Sequence, residues 1–443
     1  MRKLTAILVI GILAPVLDST IVNVALDTLG RDLHTSVATI QWVVTAYLLA
    51  LATAIPLTGW SVARFGGKRM WLISLAVFLA GSVLSGLAGN IGALIAFRAL
   101  QGIGGGLMIP IMQTLLVQAA NGRPLGKLMA TVGMPALLGP ILGPVVGGLI
   151  VGHASWRWIF YVNLPLCLVA IALAWWGLPR DDAARTAYRL DIAGLALLSP
   201  ALAAGILGLS QVAVHGGFGY AEVVAPLAAS AALLVAFTAH TLRTRAVPVV
   251  DLRLFRVPSF RAATALLFLS GLSLYGAMLL LPLYYQRSRG ASVVAAGLLL
   301  APQGLGSLLT RSWFGRLTDR IGARPVVLGG VAVTVLGTLP FVFAGPRTAA
   351  WPLALALLVR GAGLGGAMLA VMAAAFDGLD RAQVPHASSA TRIAQQVGGA
   401  FGAAVLAVVL QRTGFQHSFG WAVGCTALAL LPALALPRRR HAR

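Results

Sequence analysis

Apolar runs, each closed by a charge or a turn residue, follow one another along the whole chain. They fall at about 4–26, 38–60, 70–90, 92–118, 128–151, 157–178, 191–213, 222–242, 262–285, 292–313, 325–344, 349–374, 387–410 and 416–436, fourteen in all. Each matches the roughly 20 residues needed to cross bilayer hydrocarbon. No water is present there to take up an unpaired backbone N–H or C=O, so runs of this length and hydrophobicity predict helices. Fourteen crossings would take about 280 of the 443 residues and leave about 160 for connections. Every loop is then short, and a large soluble catalytic domain is excluded. The stretch that opens with Arg2 and Lys3 resembles a secretory signal, but it has no small-x-small cleavage site. Its apolar run also continues past Asp18 to Leu26, which predicts a retained first helix.

Composition supports the same class. The chain is 59% hydrophobic and 10% charged, where a soluble protein is about half apolar and about a quarter charged. Thirty-three Lys and Arg against 11 Asp and Glu give a net charge of +22, a balance that ordinarily suggests nucleic acid. Here, however, the basic residues are scattered in small groups between apolar runs. With the N-terminus in the cytoplasm, 24 fall on the cytoplasmic side and six (Arg31, Arg157, Arg287, Arg289, Arg347 and Arg412) on the other, while Arg98, Arg360 and Arg392 lie within crossings. That asymmetry is the positive-inside pattern. It predicts a multi-pass protein of the plasma (inner) membrane with both termini cytoplasmic. The basic side then meets anionic lipid headgroups, not nucleic acid. Two cysteines, Cys167 and Cys425, and seven scattered histidines give neither a disulfide framework nor a metal-ligand spacing. No Walker-type phosphate loop is present, and no paired acids or His-Glu-x-x-His cluster supports a membrane-embedded enzyme. The expectation is a non-enzymatic protein without cofactor.

An internal repeat organises the crossings. Gly59, Arg64, Gly66, Lys68 and Arg69 follow the second run, and Gly315, Asp319, Arg320, Gly322 and Arg324 follow the tenth, offset by 256. Arg98-Ala-Leu-Gln101-Gly102 in the fourth run is echoed by Arg360-Gly361-Ala-Gly363 in the twelfth, offset by 262. Two six-helix bundles, 1–180 and 259–437, thus share one order of landmarks. Two extra crossings lie between them at 181–258, and a basic tail follows at 438–443. Repeated halves around a midplane cavity are the build of secondary transporters.

Chemistry concentrates at few positions. Asp18 is the one acid lying more than a few residues inside a crossing. A carboxylate at that depth is expensive and by default marks a proton or ligand site; the plainer alternative is a packing Asp bonded to Ser19 or Thr20. Helix rise places Asp18 about 9 Å and Arg98 about 10 Å below the outer face, at one level. Burial opposes charge on the carboxyl and a guanidinium beside it supports charge, so a conformational change that altered their contact could switch proton binding. A purely structural ion pair is the alternative. In the fifth run, Gly139, Pro140, Gly143, Pro144, Gly147 and Gly148 combine a small-residue stripe for close packing with two prolines that bend a helix. Gly59 and Gly315 permit tight helix entry, and Gly66 and Gly322 suit turns of positive φ. Arg64, Lys68, Arg69, Arg320 and Arg324 at the surface are either topology determinants or gating groups. Arg360 lies about 16 Å deep with no acid at its level; it either faces a water-filled cavity or binds an anionic substrate group, or else packs against backbone carbonyls. Arg392, near the start of its run, is close enough to the surface to snorkel.

The ordered set of these motifs resembles the fourteen-helix drug:proton antiporter branch of the major facilitator superfamily. Further landmarks are Leu17-Asp18 to Asn23 in the first run, Gln41-Trp42 to Tyr47 in the second and Trp156-Arg157-Trp158 to Asn163 entering the sixth. The resemblance implies an all-α major facilitator fold of two pseudo-symmetric six-helix bundles plus two peripheral helices; with both halves in one chain, a monomer is the expectation. It implies a central substrate cavity with Asn23, Trp42, Tyr47, Gln101 and Arg360 near it, and proton coupling through Asp18 and Arg98. An acid usual in the loop motif is replaced by Ala63 and kept as Asp319, where the resemblance assigns it to a latching charge network. The implied activity is export of small amphipathic drugs or natural products in exchange for protons. The alternative is a proton-coupled symporter importing a small metabolite on the same fold; the resemblance of the fifth run to an antiporter motif, not its spacing, favours export.

Overall fold

The computed structural model describes residues 2–120, 143, 146–179, 189–244, 248–380 and 382–437. Among these residues the regular structure is helical, with no strand. The first segment builds α1 (Arg2–Asp32), α2 (Trp42–Ala54), α3 (Leu57–Phe65), α4 (Gly67–Leu87), α5 (Ile91–Ala120) and α6 (Asn163–Gly177). The middle pair is α7 (Ile192–His215) and α8 (Ala221–Arg243). The last segment builds α9 (Pro258–Leu283), α10 (Ala301–Ile321), α11 (Ala323–Thr338), α12 (Ala350–Ala375) and α13 (Val384–Ala427). Proline and glycine explain where these depart from simple rods. The second apolar run bends by 57° between α2 and α3, where Pro56 lacks an N–H and crowds the preceding turn. Gly414, with φ 81° and ψ −176°, breaks α13 into two helices between the two expected crossings.

Ten described helices are long and apolar enough to span a membrane, or eleven if α2 and α3 count as one. Three of the fourteen expected runs account for the difference. The run at 128–151 falls largely outside the described residues, and with it Gly139, Pro140 and Pro144; the 438–443 tail lies outside them too. The run at 292–313 leads into α10, less apolar than the others because it carries Arg311, Arg316, Asp319 and Arg320. The thirteenth and fourteenth are merged across Gly414.

The buried apolar side chains divide in a way that positions the site. One large core joins the first and last segments, running from Leu8, Ile12 and Leu51 through Leu107 and Met112 to Leu267, Ala370 and Val384. It occupies the end of the bundle where the chain starts and where α13 begins, here the basic end. Toward the opposite end the core splits. Ile21, Val43, Leu94 and Phe160 form one cluster within the first segment. Leu280, Phe341, Leu357 and Phe419 form another within the last. The two segments therefore share one core at the basic end and have separate cores toward the other.

Close helix contacts rest on glycine. A β-carbon at Gly102 of α5 would collide with the Tyr47 carbonyl of α2, and one at Gly104 would meet Phe78 of α4. The same device recurs in the last segment, where Gly361 of α12 lies against the Gln303 carbonyl of α10 and Gly363 against Thr334 of α11. Such small-residue surfaces bring helices together where lipid offers no hydrophobic drive. Of the middle pair, α7 bridges the segments: Ser199 donates to the Thr53 carbonyl at 2.8 Å, and Leu209 and Val212 pack with Ala404 of α13. Helix α8 lies outermost, with only 17% of its most apolar stretch buried.

Candidate functional site

Where the joined core gives way to the two separate ones, each segment carries a layer of polar side chains. In the first segment the layer centres on Asp18, which is fully buried, beside Arg98 at 1% exposure. Arg98 Nη1 lies 2.6 Å from Asp18 Oδ2 and donates also to Gln101 Oε1 at 2.5 Å. Gln101 Nε2 in turn donates to Asp18 Oδ1 at 2.9 Å. Asn163 Nδ2 reaches the same oxygen at 3.1 Å and Ser82 Oγ at 2.9 Å. The carboxylate thus accepts from three donors supplied by α5 and α6, which offsets the cost of burying its charge. Arg98 is held from its other sides: Nε donates to the Val43 carbonyl at 3.2 Å, and the guanidinium lies 4.2 Å from the centre of the Tyr47 ring, a favourable cation–π placement. Gly102 makes this possible, since it lets α5 lie on the backbone of α2 one turn beyond Arg98.

The last segment repeats the layer without an acid. Arg360, 2% exposed, donates through Nη1 to Gln303 Oε1 at 2.5 Å and through Nη2 to the Ser273 carbonyl at 3.1 Å. Its Nε has no partner. A cavity with room for about one water lies beside it, bordered by Ser273, Thr338 and Thr426. Arg360 therefore sits inside the last segment, among carbonyl and amide oxygens.

Of the remaining candidates, Tyr47 and Gln101 belong to the Asp18 cluster. Asn23 is exposed, with its amide donating to the Ser19 carbonyl of its own helix at 3.0 Å, and Trp42 is 41% exposed. Gly66 and Gly322, the equivalent turn glycines, both adopt φ 89° and separate α3 from α4 and α10 from α11. Gly59 and Gly315 are buried within α3 and α10. Arg64, Arg69 and Arg320 are exposed, while Asp319 and Arg324 are half-buried. Gly143 meets Thr20 of α1; Gly147 is buried, and a β-carbon on Gly148 would lie 3.4 Å from Val294 of the last segment.

Lys68 has a bond that its motif did not announce. Its Nζ donates to the carbonyls of Trp175 at 2.6 Å and Leu178 at 3.0 Å, so a cation closes the carbonyl end of α6, where backbone acceptors lack helical partners. Lys68→Ala is expected to lower stability by about 1–2 kcal/mol, read as an earlier thermal transition of the detergent-purified protein. An unchanged transition would remove this role.

Two residues that sequence reasoning passed over hold the cluster together, Asn163 and Ser82. Asn163 stood in the landmark entering the sixth run, but nothing in that run said which way its amide faces. Its Oδ1 is buried without a partner. At the basic end the segments also touch directly. Thr114 Oγ1 of α5 lies 3.2 Å from Ser388 Oγ of α13, and a β-carbon on Gly59 would come within 2.8 Å of His386 Nδ1.

The profile of the Major Facilitator Superfamily matches residues 8–403 and, in a second match, 263–443. A Mycobacterium tuberculosis protein named Multidrug resistance protein B homolog is 38% identical over 403 residues, covering 90% of this chain and 74% of that one. The Tetracenomycin C resistance and export protein of Streptomyces glaucescens is 31% identical over 424 residues, covering 93% and 77%. Among solved structures, the proton:xylose symporter XylE bound to 6-bromo-6-deoxy-D-glucose superposes with a TM-score of 0.71 at 16% identity, over 99% of this chain and 96% of that one. At that identity the likeness is one of fold.

Proposed function

The chain belongs to the Major Facilitator Superfamily and is a membrane transporter rather than an enzyme, and on that premise we propose that it exports small amphipathic drugs or natural products in exchange for protons. Two related proteins are named for multidrug resistance and for export of an antibiotic, which favours export over import on the same fold. The observation that carries the coupling is the single deep carboxylate, Asp18, bonded to Arg98 at the level where the core divides. With the basic end in the cytoplasm of a plasma membrane, the separately cored end faces outward, and a proton reaches Asp18 from that side.

The chain's own residues suggest how the proton is held. As a carboxylate, Asp18 accepts from Arg98, Gln101 and Asn163. As a carboxylic acid it becomes a donor and no longer requires the guanidinium. Asn163 can serve both states, because turning its amide presents the unpartnered Oδ1 to the new O–H. Arg98 then keeps Val43, Gln101 and the Tyr47 ring. Protonation thereby loosens α1 from α5 and lets the halves 1–180 and 259–437 swing, with the 181–258 pair following. A proton moving inward contributes about 2.3 kcal/mol per 100 mV of membrane potential, sufficient to concentrate a neutral substrate tens of times. The protein thus needs no nucleotide.

Everted membrane vesicles test this reading. After energisation, addition of an exported dye or antibiotic is expected to release protons from the vesicle lumen, seen with a pH-sensitive dye. Accumulation of compounds without proton release would contradict antiport. The alternating motion has its own test at the basic end. In protein with Cys167 and Cys425 replaced by serine, the pair Thr114→Cys and Ser388→Cys is expected to cross-link on mild oxidation. Their oxygens are 3.2 Å apart, within reach of a disulfide after small adjustment. Transport should stop on cross-linking and return on reduction. Undiminished transport by the linked protein would mean that this end does not open.

A further inference from the structure

The charges inside the spans do not balance. Among the described residues at least seven positions from any helix end or from the kink at Gly414, Asp18 stands as one acid against four arginines, Arg98, Arg311, Arg360 and Arg392. Asp18 is already taken by Arg98, Gln101 and Asn163, so no carboxylate of the described spans is left over for a cation. Of these arginines, Arg392 occupies a particular place. It lies eight residues into α13, about 12 Å from that helix's start, and is half-buried. Residues four apart share a helix face, and Ser388, one turn before it, is bonded across the gap to Thr114 of the first segment. The face that carries Arg392 therefore points at the other half, one turn beyond that contact. Nη1 donates to Gln395 Oε1 at 2.9 Å, and no carboxylate among the described residues pairs with it. The surface-seeking orientation expected from its position in the run does not describe it: the side chain bonds Gln395, one turn deeper along its own helix.

We infer that the gap between the halves at Arg392 receives an acidic group, so that the exported compounds are amphipathic anions, such as carboxylates or sulfonates, rather than lipophilic cations. A half-desolvated guanidinium without a counter-ion attracts an anion strongly, and its planar fork suits a carboxylate. A cation in the same place would meet a net positive interior. This inference rests on the export reading for the direction of movement, but the preference for charge is a property of binding and is measured apart from transport.

The test uses two fluorescent compounds with the same ring system, dansylglycine carrying a carboxylate and dansylcholine carrying a trimethylammonium, with full-length protein in lipid nanodiscs. Wild type is expected to bind dansylglycine at least ten-fold more tightly. Arg392→Gln should erase that preference, and Arg392→Lys, which keeps the charge, should retain most of it. Size-exclusion profiles of both variants establish that they are folded. Equal binding of the two compounds by wild type, a preference for dansylcholine, or an intact preference in Arg392→Gln would overturn the inference. If the preference is found while energised vesicles move neither compound outward, the export reading fails and the charge preference stands.

Discussion

Vesicles containing Asp18→Asn protein are expected to show no gradient-driven export above the background of vesicles without transporter. The substitution keeps the shape of the side chain and removes its capacity to gain and lose a proton. It also leaves Arg98, at 1% exposure, without its counter-ion. Breaking a buried pair from one side typically costs about 3–5 kcal/mol; here the Val43 carbonyl, Gln101 and the Tyr47 ring remain and soften the loss. Reduced yield of the single variant is therefore part of the expectation. The double variant Asp18→Asn, Arg98→Gln removes the orphaned charge as well, and should recover folded protein but not proton-driven transport. Gradient-driven export by the double variant at the parental rate would show that the pair is a structural brace and that coupling lies elsewhere.

The largest effect on folding is expected from Gly102→Leu. A β-carbon there would collide with the Tyr47 carbonyl of α2 and lie 3.1 Å from Ala50 Cβ. The obstructing carbonyl belongs to backbone, so it cannot turn aside as a side chain would. Overpacking a fitted interior costs about 1–3 kcal/mol, sometimes more, and this one forces apart the helices that fix Arg98 to Val43. Gly102→Leu protein should be largely absent from the monodisperse fraction after solubilisation. Gly102→Ala should fold with a markedly lower thermal transition. Gly89→Ala is the control: nothing lies within 4 Å of a β-carbon at that position, and its effect should stay within about 0.5 kcal/mol. Normal folding of Gly102→Leu would mean that α2 and α5 do not approach as closely as described.

These two sites also show what the chain discloses before it folds. The level shared by Asp18 and Arg98 was legible because charges mark the helix ends and the rise per residue is fixed, so counting from the ends gives depth. The partners that complete the cluster were not. Asn163 and Ser82 are neutral, and a neutral amide or hydroxyl does not stand out in an apolar run as a charge does. Which of them faces Asp18 depends on how α4, α5 and α6 cross. Arg392 fails for a related reason. Distance from the helix start suggested an escape to the surface, whereas its direction is fixed by Ser388 meeting Thr114. Helices apolar on all sides carry no amphipathic stripe to indicate which face meets a neighbour. Breaks were only partly legible. Gly66 and Gly322 take the positive φ their motif requires. The polar stretch around Arg412, expected to separate two crossings, carries the break at Gly414. Lys68 offered surface charge from sequence, and its bonds to α6 depend on the third and sixth crossings ending side by side.

The decisive measurement is proton release on substrate binding by the purified transporter in weakly buffered solution, followed with a soluble pH indicator. Wild type, mixed with a compound it exports, should discharge protons in proportion to the compound bound, and Asp18→Asn should bind without discharging any. Equal release from both proteins, or none from wild type at saturation, would contradict a coupling carboxylate at Asp18.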